Sequence, residues 1–247
     1  MAYDSALAMV YDKFTRNTDA AKRADFLHTL LCRFGVENGI LLDLACGTGV
    51  MSEAFINKGY DVISVDDSCA MLNEARNRLG KYGPKALLLE QDMRELDLFG
   101  TVRACICCLD SVNHLTDPAD VQQVFERVSL FTEPGGVFLF DVNTVYKHRQ
   151  ILGNNTFVYE DDKDFLVWQN EYDPADDTVS MLIDIFSRER GEKYVRESDE
   201  ITERAYEADL IESMLTGAGF RIIYRFGDLR DDAPSETEER IYFAAVK

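Results

Sequence analysis

Three short apolar runs in the first hundred residues each lead to an aspartate. Ile40-Leu41-Leu42 stops at Asp43, Val62-Ile63-Ser64-Val65 stops at Asp66, and Ala86-Leu87-Leu88-Leu89 is followed by Asp92. Runs that are apolar at every position have no solvent face, so they read as strands covered on both sides. The stretches between them carry helical spacing. Met51, Ala54 and Phe55 mark a helix that stops near Gly59. Ser68 reads as the N-cap of a helix with Met71, Leu72, Ala75 and Leu79 on its apolar face, closed by Gly80. Upstream, Leu27, Leu30, Leu31 and Phe34 repeat at i, i+3, i+4, i+7 before Gly35. Downstream, Ala104 to Leu109 reads as a fourth strand. Asp117-Pro118 reads as a helix start, followed by a stripe of Val121, Val124, Phe125 and Val128. Pro134-Gly135-Gly136 should end that helix, and Val137 to Phe140 reads as a fifth strand. This alternation predicts an α/β, doubly wound, mostly parallel sheet. Such sheets bind ligands at the carboxyl ends of their strands, where the three acids collect.

The pattern changes after about residue 150. Phe157 to Glu160, Phe165 to Gln169, Val179 to Phe186 and Tyr194 to Glu197 are rich in β-formers, with a turn at Asp173-Pro174-Ala175-Asp176-Asp177. A small antiparallel β insertion over 150–203 is therefore expected, with 1–149 and 204–247 forming the core. Leu210, Ile211, Met214 and Leu215 restore helical spacing. Phe220 to Phe226 and Ile241 to Val246 read as two last strands.

Composition narrows the function. The 247 residues carry 45 acidic and 26 basic side chains, a net charge of −19. Such a surface repels phosphate backbones and anionic lipid, so neither nucleic acid nor a membrane surface is the expected partner. A small molecule is, acting on a monomer or homodimer. The first residues lack a basic start and apolar stretch, and no apolar run approaches a membrane span. Of the six cysteines, Cys105, Cys107 and Cys108 sit in one apolar run, with the first two expected on one strand face and the third on the other. They read as reduced, buried thiols of a cytoplasmic protein. No side-chain cluster has metal-ligand spacing, so no metal is expected.

Chemistry concentrates in Asp43-Leu44-Ala45-Cys46-Gly47-Thr48-Gly49, a strand entering a glycine loop that opens a helix. Glycine lets backbone adopt positive φ and approach a ligand closely. Asp66, after the next strand, is placed to accept the two ribose hydroxyls of an adenosine group. A dinucleotide fold shares this layout, but it needs a small residue where Ser52 stands and lays pyrophosphate on the helix N-terminus. Asp43 would repel a pyrophosphate and suits an ammonium.

Asp43 to Gly49 resembles the first motif of the class I S-adenosylmethionine-dependent methyltransferases. Ser64-Val65-Asp66-Asp67-Ser68 with Met71-Leu72 and Ala75-Arg76 resembles the second. Gln91-Asp92-Met93 resembles the third, and Leu109-Asp110-Ser111-Val112-Asn113-His114-Leu115 the fourth. Glu133 to Asp141 resembles the turn and strand that follow. Tyr11-Asp12, the insertion and the ending Glu239-Arg240-Ile241-Tyr242-Phe243 further resemble bacterial small-molecule methyltransferases, the aminosugar N,N-dimethyltransferase-like and glycine N-methyltransferase-like enzymes.

The resemblance implies a Rossmann-like seven-stranded sheet with an antiparallel last strand, S-adenosylmethionine as cofactor, and methyl transfer to N or O of a small acceptor. It implies that Asp43, Ala45, Cys46, Gly47 and Gly49 hold the methionine end and Asp66 the ribose. Asp67 and Met93 would flank the adenine, Asp92 would accept from its amine, Leu109 and Asp110 would line the floor, and Tyr11 would close over the cofactor. Asp67 departs from the usual apolar residue, and Val102-Arg103 from the usual Phe-Asp pair.

A base is needed only to clear a proton from the acceptor, and Asp110 and His114 are the candidates, with Tyr11 third. Among the other polar or aromatic singletons, His28 reads as structural and Trp168 as core packing between sheets. A nicotinamide-dependent oxidoreductase and a non-catalytic S-adenosylmethionine-binding sensor are the alternatives.

Overall fold

A computed structural model describes Asp12 and residues 19–247 other than 162 and 192. The first helix, α1 (Ala20–Arg33), is capped by Asp19, whose side chain accepts the Lys22 N–H. Then come β1 (Ile40–Leu44), α2 (Val50–Asn57), β2 (Asp61–Asp66), α3 (Cys69–Leu79), β3 (Ala86–Glu90), β4 (Val102–Cys107), α4 (Pro118–Phe131) and β5 (Thr132–Asn143). Ser68 caps α3 by accepting the Met71 N–H, and Asp117 caps α4 ahead of Pro118. An antiparallel meander follows, of β6 (Thr156–Glu160), β7 (Asp164–Asp173), β8 (Thr178–Arg190) and β9 (Lys193–Arg204). Helix α5 (Ala208–Gly217) and strands β10 (Ile222–Phe226) and β11 (Arg240–Val246) complete the chain.

The main sheet has seven strands in the order β10-β11-β5-β4-β1-β2-β3. Pairing from β3 through β5 is parallel, and β11 runs antiparallel to both β5 and β10. The order reverses between β1 and β4, which opens a crevice at their carboxyl ends.

The core lies on both faces of this sheet. Leu42, Cys105, Cys107, Phe138 and Phe140 meet α4 and α5 on one side. Leu41, Ala104, Ile106, Cys108 and Leu139 meet α1, α2 and α3 on the other. The alternation along β4 thus divides the three thiols between the two faces as the sequence implies. A separate cluster of Leu152, Leu166, Val179, Met181, Ile183, Ile185 and Ile201 stabilises the meander, with Trp168 packed against it and against Phe157.

Two boundaries and one facing differ from the sequence reading. β4 stops at Cys107, because Leu109 and Asp110 both turn left-handed, with φ of 60° and 58°. β5 begins at Thr132, so Pro134-Gly135-Gly136 is an irregularity inside the strand rather than the loop before it. Leu210 lies on the exposed side of α5.

Candidate active site

The loop after β1 is shaped by backbone bonds. The Cys46 N–H donates to Val65 O at 2.9 Å, and the Gly49 N–H donates to Cys46 O at 3.0 Å. Ala45, Gly47 and Gly49 all take positive φ. The two glycines do different work. A Cβ on Gly47 would meet nothing within 4 Å, so its face is open to the crevice. A Cβ on Gly49 would lie 3.1 Å from Leu79 and 3.2 Å from Ala75, so Gly49 lets α2 pack on α3.

Asp66 closes the loop from the side. It accepts the Gly47 N–H at 2.8 Å through one oxygen and the Ser68 N–H at 2.9 Å through the other. Burial pushes its carboxyl upward, opposed by these two donors. Each oxygen keeps a further lone pair for a ligand hydroxyl.

Asp43 is 1% exposed. Its partner is the Ser52 hydroxyl, which donates to it at 2.5 Å and lies 2.7 Å from the Ser64 hydroxyl. Burial raises its carboxyl to about 7, and the neighbouring charge of Asp66 pushes the same way. Ser52 also supports it through its backbone N–H, and a buried carboxylate held by neutral donors alone calls for a cation. An ammonium fits this position and a pyrophosphate does not. Ser52 therefore supports the acid, a role the loop spacing alone did not reveal.

At the far end, Arg94 grips Asp92 through Nε and Nη2 and reaches Asp120 on α4 at 2.9 Å. The Asp92 carboxyl is held below its ordinary range, first by the Arg94 hydrogen bonds. Asp92 thus stays an acceptor, and Met93 stands beside it in the cavity wall.

The floor depends on a residue outside it. Asp141 of β5 accepts the N–H of Leu109 and of Asp110, each at 2.9 Å. Arg240 Nη1 bonds Asp141, and Arg23 Nη1 lies 3.7 Å from it. Leu109 faces the cavity, but Asp110 is absent from its lining. The Asp110 side chain instead accepts from Asn143 Nδ2 at 2.6 Å and from Arg240 Nη2 at 3.2 Å. Burial alone would raise its carboxyl, but Arg240, Lys147 and His114 hold it well below the carboxylate range. The Asp110 carboxylate is thus engaged by Asn143 and Arg240 behind the wall rather than presented to the cavity.

His114 does line the cavity, from the 3-10 turn Ser111–His114. Its Nε2 lies 3.9 Å from Glu203 Oε1 of β9. His28 is structural, its Nδ1 lying 3.2 Å from the Tyr60 hydroxyl.

These groups enclose one cavity of about 490 Å³, and the described residues that line it all fall between 12 and 120. Asp43, Ala45, Cys46, Gly47, Asp66, Asp67, Asp92, Met93, Leu109 and His114 come together there. Gly49 and Asp110 stand behind the wall, and Tyr11 lies outside the described residues. Two contributors, Arg23 and Arg94, were not legible from the motifs, and Asp12, named in the Tyr11-Asp12 pair, had no role assigned to it. Arg23 of α1 lines the cavity at 3% exposure. Arg94 clamps Asp92. Asp12 accepts the Thr48 hydroxyl at 2.6 Å and pairs with Arg78 of α3, whose Nε also donates to Thr48 O at 2.9 Å. A charge inside the apolar stripe of α1 was the available sign for Arg23.

Comparison with known proteins agrees with this geometry. Residues 41–136 match the model of a methyltransferase domain. The Bacillus subtilis (strain 168) protein YqeM, whose name assigns it to the methyltransferases, is 35% identical over 213 residues, 85% of each chain. A crystal structure of an S-adenosylmethionine-dependent methyltransferase from Clostridium acetobutylicum superposes with a TM-score of 0.89 at 37% identity, covering 98% of this chain and 97% of that one. A Streptomyces venezuelae aminosugar enzyme, dTDP-3-amino-3,4,6-trideoxy-alpha-D-glucopyranose N,N-dimethyltransferase, is 33% identical over 141 residues, 56% of this chain and 58% of its own.

Proposed function

This chain belongs to the S-adenosylmethionine-dependent methyltransferases, and we propose that it methylates a nitrogen or oxygen of a small-molecule acceptor, with His114 taking the proton. The observation that carries this reading is the single cavity joining Asp43 and Asp66 at one end to Ser111 and His114 at the other. Bound S-adenosylmethionine supplies a methyl group on a sulfonium, open to in-line displacement. The chain's own part is to hold, align and keep water out. Asp43 holds the ammonium, the Ala45 to Gly49 loop runs along the methionine, and Arg23 takes the carboxylate. Asp66 takes the ribose hydroxyls, and Asp67, Asp92 and Met93 frame the adenine. Leu109 forms an apolar floor under the transfer.

Residues 1–149 and 204–247 act as the cofactor-binding core, and 150–203 as a cap meeting the acceptor end through the foot of β9. Tyr11 completes the closure. Asp43 disfavours the nicotinamide alternative, since an acid at that place opposes pyrophosphate. The strong negative charge supports a small acceptor in the cytoplasm over nucleic acid or lipid. Among the described residues no helix is long and apolar enough to cross a membrane.

The test is transfer of labelled methyl into a panel of small amines and alcohols, aminosugar nucleotides included, with the wild type and His114→Asn. Label in one small acceptor, reduced at least tenfold by His114→Asn, is expected. Label confined to the macromolecular fraction would overturn the reading.

A further inference from the structure

Among the described residues the meander adds none to the cavity wall, yet one of its carboxylates reaches a histidine that lines it. Glu203, next to last in β9, is 5% exposed. Its Oε1 lies 3.9 Å from His114 Nε2, and its Oε2 lies 3.4 Å from His148 Nε2. Oε2 also accepts from Asn143 Nδ2 at 2.9 Å.

The foot of β9 is fixed against the turn that carries His114. Asn113 Nδ2 donates to Arg204 O at 2.8 Å and to Asn143 O at 3.1 Å, and Arg204 Nη1 donates to Thr116 O at 3.0 Å. These bonds fix the backbone on which Glu203 stands against the turn that carries His114, and the Asn143 amide holds its carboxylate from the other side. The charged groups around it come from every neighbouring element. His114 faces it from the 3-10 turn, and His148 and Lys147 from the π-helical turn Lys147–Leu152. Asp110 and Arg240 lie beyond Asn143. Lys147 donates to Asn143 Oδ1 at 2.8 Å, which orients the amide so that its NH₂ meets Glu203 and Asp110. His148 is anchored by Nδ1 at 3.2 Å from Asp177 O, a carbonyl that can only accept.

A buried carboxylate paired with a histidine opposes loss of the proton that the histidine gains. We infer that Glu203 is a positioning residue for methyl transfer, holding the His114 ring in place and stabilising the imidazolium formed when His114 takes the acceptor's proton. The acceptor N or O forms its bond to the methyl carbon as the methyl–sulfur bond breaks and its electron pair passes to sulfur, which leaves as S-adenosylhomocysteine; the acceptor's proton passes to His114, whose new positive charge is offset by Glu203. The meander thereby takes part in the chemistry through one side chain. This inference rests on His114 as the base.

With an acceptor in hand, Glu203→Gln should lower kcat at least tenfold and leave KM for S-adenosylmethionine unchanged. Affinity for S-adenosylhomocysteine by calorimetry should stay within twofold. Glu203→Asp, which keeps the charge, should restore most of kcat, and serves in place of Glu203→Gln if that variant does not fold. Wild-type kcat in Glu203→Gln, or a loss in Glu203→Asp as deep as that in Glu203→Gln, overturns the inference. Full transfer by His114→Asn overturns the base reading and with it the role given to Glu203, whereas an inactive His114→Asn beside a fully active Glu203→Gln overturns the role of Glu203 alone.

Discussion

Asp141 accepts the backbone N–H of Leu109 at 2.9 Å, and through its second oxygen the N–H of Asp110 at the same distance. Two successive non-glycine residues in the left-handed region cost about 1 kcal/mol or more each. Two charge-assisted hydrogen bonds of about 1.5–3 kcal/mol each outweigh that cost. The floor of the cavity is therefore set by the neighbouring strand, and Arg240 holds the clamp from the side away from the turn.

Removing the clamp should be costly. Asp141→Ala leaves two N–H groups without their acceptor and the buried Arg240 guanidinium with Asp110 as its one remaining carboxylate partner here. Loss of one partner of a buried pair costs about 3–5 kcal/mol. Urea unfolding should show a loss of this size. A loss under 1 kcal/mol would mean the turn holds itself.

Asp43 sets function against stability. Burial raises its carboxyl from 3.8 to about 7. Between those values the native state binds more protons than the unfolded one, so the contribution of this group to stability falls as pH rises through the window. Asp43→Asn removes the charge and keeps an oxygen for Ser52. The ligand-free variant should melt several degrees higher than wild type at pH 8 and show little gain near pH 4, while losing at least tenfold in affinity for S-adenosylhomocysteine. Thermal scans at the two pH values with calorimetry decide it; equal melting at pH 8 would remove the burial argument.

The two loop glycines should separate. Gly49→Ala places a Cβ at φ +77° against Leu79 and Ala75, so the melting temperature should fall with about 2 kcal/mol lost. Gly47→Ala, at φ +53° with open space around it, should cost about 1 kcal/mol in folding yet weaken cofactor binding. Denaturation and calorimetry on both variants test this, and a reversed order would contradict the packing described.

Asp66→Ala should weaken S-adenosylhomocysteine binding about 10- to 100-fold, the worth of one set of charge-assisted hydrogen bonds. Asp66→Asn, which still offers one oxygen, should lose less. Unchanged affinity in both variants would move the ribose elsewhere.

Much of this site was legible because its signals are local. A strand, a glycine loop and an acid lie within a few residues of one another, and strand periodicity fixes where they surface. The sequence reading placed Asp43, Gly47, Asp66 and Asp92 at or just past the strand ends, and all four line the cavity there. Which way Asp110 faces was not legible, because what determines that side chain comes from Asn143 and Arg240, distant in sequence. The reading extended β4 through Leu109 for the same reason, since the clamp that turns the chain belongs to β5. Arg23 and Glu203 gain their meaning only once α1 and β9 are placed against the crevice. The Pro134-Gly135-Gly136 segment read as a breaker, but the irregular pairing between β4 and β5 accommodates it.

The division of thiols across β4 gives the protein an internal clock for its own opening. Cys105, Cys107 and Cys108 are buried at the centre of the sheet, and burial raises all three thiols far from the reactive thiolate form. Cys69, at the exposed start of α3, has no such protection. An alkylating reagent therefore marks Cys69 in the folded protein and reaches Cys105, Cys107 and Cys108 only when the central strand is released, with half-buried Cys32 and the cavity-lining Cys46 counted apart from both. The delay between the two kinds of labelling measures how often the middle of the sheet comes apart, and bound cofactor, by holding the ends of β1, β2 and β4 together, lengthens it.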